Sequence, residues 1–174
     1  MDDATLIIEC VNGNPRAQRL LFDKFARKMF SVCLRYAKNE EQAEDVLQDG
    51  FVKVFGKLKD FKSEGSLEGW IRRIMVNTAL DQIRKNNKQL GDTNIDDVGY
   101  KIENNDFIVE NMMADDLMKM VQAMPDGYKV VFNMFAIEGY SHSEIADTLG
   151  ISENTSKSQY SRARAYLRER LEKN

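Results

Sequence analysis

Apolar residues recur at helical spacing along most of the chain, and that periodicity constrains its fold more than any other feature. Leu21, Phe25, Met29, Val32 and Tyr36 make one such stripe, and Leu47, Phe51, Val54, Phe55 and Leu58 make a second. Val109, Met113, Leu117, Met120 and Met124 make a third, which stops at Pro125. Side chains three or four positions apart stack on one face of a helix, so each segment reads as a helix with one buried side. No β-rich alternation of period two interrupts the pattern. Proline stands only at 15 and 125, both suited to helix starts, so the expected fold class is all-α.

Residues 86–111, NNKQLGDTNIDDVGYKIENNDFIVEN, break the periodicity with Asn, Asp and Gly and read as a linker. Two small helical domains are therefore expected, at 1–88 and 112–174, joined by a flexible acidic linker at 89–111. Charge follows the same division. The net charge is −3, but residues 91–127 hold two Lys/Arg against nine Asp/Glu. The flanks hold 16 against 13 (residues 1–90) and seven against six (residues 128–174), so both tolerate an anionic partner.

Several classes are disfavoured. No apolar run exceeds four residues and the N-terminus, MDDATLIIEC, is acidic, so neither membrane insertion nor export is expected and the location is cytoplasmic. Cys10 and Cys33 lack CxxC spacing and read as reduced, buried thiols. His142 is the only histidine, with no nucleophile–base set, no metal-ligand spacing and no glycine-rich phosphate loop. No catalytic residue, metal or cofactor is expected.

The C-terminal segment is the most explicit. Ser141-His142-Ser143-Glu144 has the form of a capping box, with His142 read as decorating the turn. Ile145, Ala146 and Leu149 follow; Gly150 suits a left-handed helix end, Ile151 a core plug and Ser152 the next N-cap. In the following helix Ser156, Tyr160, Ala163, Leu167 and Leu171 form a packing stripe, and Lys157, Ser161, Arg164 and Arg168 a polar one. Six Lys/Arg face two Glu over residues 155–174. Arginines near a helix C-terminus also favour its dipole, but helix, glycine turn and second cap in this order predict a DNA-binding helix-turn-helix.

Upstream, Glu41, Asp45, Gln48 and Asp49 lie opposite an apolar stripe, suited to a basic protein partner or to plain solvation. Gly50 inside that helix reflects either close approach or tolerance. From Trp70, itself read as core rather than as a stacking wedge, Arg73, Asn77, Asp81, Arg84 and Lys88 share one polar, basic side.

EGYSHSEIADTLGISENTSKSQYSRARAYLRERL resembles the promoter-recognition domain of bacterial extracytoplasmic-function (ECF) sigma factors of the sigma-70 family. AEDVLQDGFVKVFGKLKDF and WIRRIMVNTALDQIRK resemble that family's N-terminal domain in order and spacing. The resemblance implies a binding subunit of core RNA polymerase, monomeric when bound, that selects promoters and is held by an anti-sigma factor. It implies that Asp45, Gln48 and Asp49 dock on the polymerase clamp coiled coil. The loop FKSEGSLEG, with Ser63, Gly65 and Ser66, and the helix bearing Arg73 through Lys88 take the minus-ten element. A base is drawn there from the stack without ATP, at a few kcal/mol per step. The minus-thirty-five element falls to Thr155, Lys157, Ser158, Ser161, Arg162, Arg164 and Arg168, and a groove including Met134 or Phe135 seats the polymerase flap.

Two positions depart from the family pattern: Ser156 replaces a usual valine and Gln159 a common arginine. If Ser156 is buried, Ser156→Val is expected to stabilise by about 1 kcal/mol or less. The linker has a further consequence. Twenty-six flexible residues span roughly 28 Å on average, whereas about 25 base pairs separate the two elements by roughly 85 Å. Core polymerase must therefore set the separation. The alternative is a stand-alone helix-turn-helix regulator with an N-terminal dimerisation domain, which leaves the second basic helix and the acidic face unexplained.

Overall fold

The computed structural model describes residues 1–86 and 114–172; Lys88, the linker at 89–111, Val109 and Met113 lie outside the described residues. Among those described, every regular element is helical, as the periodicity requires. The chain divides into two compact units, Met1–Gln82 and Ile83–Asn174.

The N-terminal unit is built on α1 (Asp3–Val11), α2 (Pro15–Tyr36), α3 (Glu40–Lys57) and α4 (Leu67–Asn86) as far as Gln82, with a short 3-10 turn at Leu58–Asp60. The last turn of α4 falls in the second unit, so the division comes earlier than the expected end at 88. Each start has a chemical cause. Asp2 accepts from the Thr5 amide at 2.8 Å, Asn14 from the Arg16 amide at 3.0 Å, and Asn39 from the Gln42 amide at 2.8 Å. Pro15 occupies the first turn of α2, where its missing N–H is harmless. The expected stripe on α2 is buried throughout, from Leu21 to Tyr36, as are Val46, Leu47, Phe51 and Val54 of α3, the helix it packs against. Ile71, Met75, Val76, Ala79 and Leu80 of α4 complete the core. Gly50 is part of it: a Cβ there would overlap the Met75 thioether, so close approach explains the glycine. Trp70 is half-buried and packs on Phe61 with centroids 5.3 Å apart, so it lies at the edge of the core.

The C-terminal unit contains α5 (Ala114–Ala123), α6 (Asp126–Phe132), α7 (His142–Leu149) and α8 (Glu153–Glu172). Val121, Met124, Phe132, Ala163 and Leu167 form its centre, with Leu117, Met120, Tyr160 and Leu171 packed around them. The Tyr166 hydroxyl donates to the Ala123 carbonyl at 3.1 Å and ties α8 to α5. Pro125 precedes α6 as its cap residue. A π-helical turn at Asn133–Ile137, which periodicity does not predict, ends the α6 segment, with the Glu138 amide bonded to the Asn133 carbonyl. Among the described residues no helix is long and apolar enough to cross a membrane.

Candidate polymerase-docking and nucleic-acid interfaces

The acidic side of α3 is open. Asp45, Gln48 and Asp49 are all exposed, and the core residues on either side of them point the other way. Glu40 and Glu41 in the first turn also complement the helix dipole, a local reason for part of the acid. Val52 lies one turn beyond Gln48 on the same side and is 73% exposed, the most exposed large apolar side chain of the unit. An apolar residue so placed gives a polar surface a desolvatable centre. Sequence reading missed it because one valine beside a strong apolar stripe looks like core. Its helical phase, at i+7 from Asp45, carried the signal.

On α4, Arg73, Asn77, Asp81 and Arg84 are all exposed along one side. Asp81 is approached by the Lys53 ammonium of α3 at 3.5 Å, which offsets an acid on an otherwise basic surface. The loop before α4 has a defined shape. Ser63 adopts φ 58° and Gly65 φ 87°, so two left-handed residues turn the chain within three positions. Left-handed φ costs a non-glycine residue about 1–2 kcal/mol, so Ser63 stands in a locally unfavourable conformation. Ser66 caps α4, its hydroxyl accepting from the Gly69 amide at 3.0 Å. Ser63, Gly65 and Ser66 share the lining of an open cavity of about 410 Å³ with Asp3 and Ile7 of α1 and Lys24 of α2. Lys24 and Asp3 pair at 2.6 Å beside it, and no periodicity or motif predicts that α1 forms a wall.

The helix-turn-helix forms as its caps predict. Ser141 and Glu144 make a complete capping box, Gly150 ends α7 at φ 69°, and the Ser152 hydroxyl accepts from the Thr155 amide at 3.0 Å. Ile151 is half-buried.

The candidate DNA residues of α8 do not share one face. At 100° per residue, Lys157, Ser161, Arg164 and Arg168 form one stripe and Thr155, Ser158 and Arg162 another. Lys157 is exposed; Thr155, Ser158, Arg162, Arg164 and Arg168 are half-buried. The Arg162 guanidinium lies 5.6 Å from the Tyr128 ring centre and Arg164 lies 5.8 Å from that of Tyr160. Ser161, expected on the open polar stripe, is only 9% exposed: a short hydroxyl flanked by longer basic neighbours sits low on the surface. Met134 is fully buried, so of the two residues named for a groove only the half-buried Phe135 reaches the surface.

Ser156 and Gln159 are buried. The Ser156 Oγ lies 2.8 Å from His142 Nδ1, and the His142 ring stacks on Phe135 at 4.2 Å and 13°. His142 is thus a packed member of the unit and more than a decoration of the turn. Burial, reinforced by Lys157 and opposed by Glu153, lowers its pKa from the usual histidine value. Cys33 is buried, and desolvation pushes its thiol up to about 12, outside the range of a reactive thiolate.

A helical unit with an exposed acidic side and an exposed polar, mostly basic helix, followed in the chain by a helix-turn-helix unit, is the layout of a two-domain transcription initiation factor. Sequence comparison agrees: a model of Sigma-70 region 2 matches residues 21–89 and one of Sigma-70, region 4 matches residues 114–167. The chain belongs to the sigma-70 family, as an ECF sigma factor. It is 29% identical to the ECF RNA polymerase sigma factor SigE of Mycolicibacterium smegmatis, over 88% of this chain and 61% of that protein's length. It is 24% identical to the ECF RNA polymerase sigma-E factor of Haemophilus influenzae, over 99% of this chain and 96% of that one. The fold resembles the sigma factor RpoE, solved in complex with the anti-sigma factor NepR from Bartonella quintana. The TM-score is 0.57 at 21% identity, covering 88% of this chain and 96% of that one.

Proposed function

We propose that this chain binds core RNA polymerase and directs it to a specific set of promoters, in an extracytoplasmic or stress response. The observation that supports this best is the pairing of two matched sigma-70 regions with two separate polar helix faces, on α4 and α8. A single-site repressor needs only the second.

In this reading Asp45, Gln48 and Asp49, with Val52 among them, dock on a basic surface of the polymerase clamp. Arg73, Asn77 and Arg84 of α4 hold the minus-ten strand, with Lys88 beyond the described residues. Ser63, Gly65 and Ser66 receive an unstacked base in the cavity they line. Lys157 and Ser158 meet base edges of the minus-thirty-five element, Thr155 and Ser161 support them, and Arg162, Arg164 and Arg168 hold phosphates. Domain boundaries at 88/89 and 111/112 leave each reading surface on its own side of the linker. The protein supplies recognition and binding energy, with no chemistry of its own, and acts where polymerase is, in the cytoplasm. An anti-sigma factor is its natural regulator, by analogy with the RpoE–NepR complex.

Because the linker cannot fix the distance between the two elements, the free chain is expected to bind duplex promoter weakly. Nanomolar, sequence-specific binding without core polymerase would contradict the proposal.

A further inference from the structure

The two helices of the helix-turn-helix are joined by the Gly150 turn at the end of α7 and the start of α8. A second tie lies at the other end of α7. His142 is its first residue, and His142 Nδ1 meets the Oγ of Ser156, which is fully buried and 14 positions along the chain. The ring that makes this bond is itself fixed. It stacks on Phe135, with Tyr160 of α8 at its edge 6.0 Å away. Phe135 in turn packs on Tyr160 at 4.7 Å.

An eight-residue helix is about 12 Å long, so a turn at one end and a hydrogen bond at the other fix the angle at which α7 and α8 cross. A hydrogen bond has a narrow range of length and direction, whereas apolar side chains of similar volume can repack by small displacements. Ser156 immediately precedes Lys157 and Ser158, the residues placed at base edges above. An angular change at Ser156 is therefore passed to them with little slack.

We propose that His142 is a positioning residue for minus-thirty-five reading, which it governs by holding the first turns of α8 through Ser156. This assignment rests on the function proposed above.

The test uses the full chain with core polymerase and two templates: a promoter selected from a random library, and the same promoter with its minus-thirty-five element scrambled. The quantity read is the ratio of runoff transcript between them. His142→Ala and Ser156→Ala are each expected to lower that ratio about tenfold, and the double variant no further than the worse single, because both remove one bond. His142→Asn, whose side-chain amide reaches the place of Nδ1, is expected to recover most of the loss. Output from the scrambled template should stay at the wild-type level for Ser156→Ala, which leaves the His142–Phe135 ring stack, the acidic side of α3 and the exposed side of α4 in place. An unchanged ratio in both single variants, losses that multiply in the double, or an Asn variant no better than Ala would overturn the assignment. Wild-type protein that supports no initiation would instead overturn the function, and the assignment with it.

Discussion

The backbone of Gly50 on α3 lies against the thioether of Met75 on α4: a Cβ at position 50 would overlap Met75 Sδ and come within 2.9 Å of its Cε. Met75 is fully buried, so its side chain has little room to move aside. Overpacking a core costs roughly 1–3 kcal/mol, while alanine for glycine inside a helix gains about 1 kcal/mol. Gly50→Ala is therefore expected to destabilise the N-terminal unit by about 1 kcal/mol. In a Met75→Ala background the same change should turn stabilising by up to about 1 kcal/mol. Urea melts of the four proteins check this, and equal effects in both backgrounds would rule out the steric account.

The Ser156–His142 bond reverses an expectation drawn from sequence. A buried serine where related helices carry valine suggests that valine would stabilise. Here the hydroxyl is paired, so Ser156→Val removes the bond and leaves Nδ1 without it in a half-buried site. A destabilisation of about 1 kcal/mol is expected despite the gain in apolar volume. A higher melting temperature for the variant would show that the hydroxyl contributes less than the methyl groups that replace it.

His142 also makes stability depend on pH. Burial, the first cause, and then Lys157 lower its pKa in the folded chain, against the weaker effect of Glu153. The unfolded chain therefore takes up the proton first as pH falls. The stabilisation is fully present above the unfolded value, about 6.5, and is lost as pH drops from there through the lowered folded value. Melts between pH 8 and pH 5 should show a fall in stability that His142→Asn abolishes. Parallel curves for the two proteins would contradict it.

Much of this architecture was legible because helical chemistry is local. The stripe from Leu21 to Tyr36, the capping box at Ser141–Glu144 and the glycine end at Gly150 need only nearest turns, and all three appear in the structure. What was not legible depends on approach between elements. Met75 against Gly50, His142 against Ser156 and Asp3 beside the loop at 63–66 join residues that periodicity cannot relate. The π turn at Asn133–Ile137 breaks the period itself and so shifts the phase on which a stripe is counted. On α8, an even reading of basic residues hid the separation of Arg162 from Arg164 by 160° of helical phase, about half a turn.

The side of α3 proposed to dock on polymerase yields a surface prediction. Asp45→Lys and Val52→Glu alter exposed side chains, so melts should stay within about 0.5 kcal/mol of wild type. Each is expected to weaken binding to core polymerase by about tenfold, roughly 1.4 kcal/mol. The Asp45 effect should shrink at high salt and the Val52 effect should persist. Unchanged affinity in both would move the docking site elsewhere.

On the minus-ten side, Arg73→Ala and Arg84→Ala should each lower the slope of log affinity against log salt for promoter DNA by about 1 in the polymerase complex, if each holds one phosphate. A slope equal to wild type would remove that residue from the backbone contacts.

The central claim is that this chain redirects polymerase. Runoff transcription with purified core on a random promoter library, with and without the chain, tests it most directly. The expected result is a new set of start sites sharing two sequence elements at fixed separation, present only when the chain is added. The same start sites with and without the chain, or none in either case, would contradict the account.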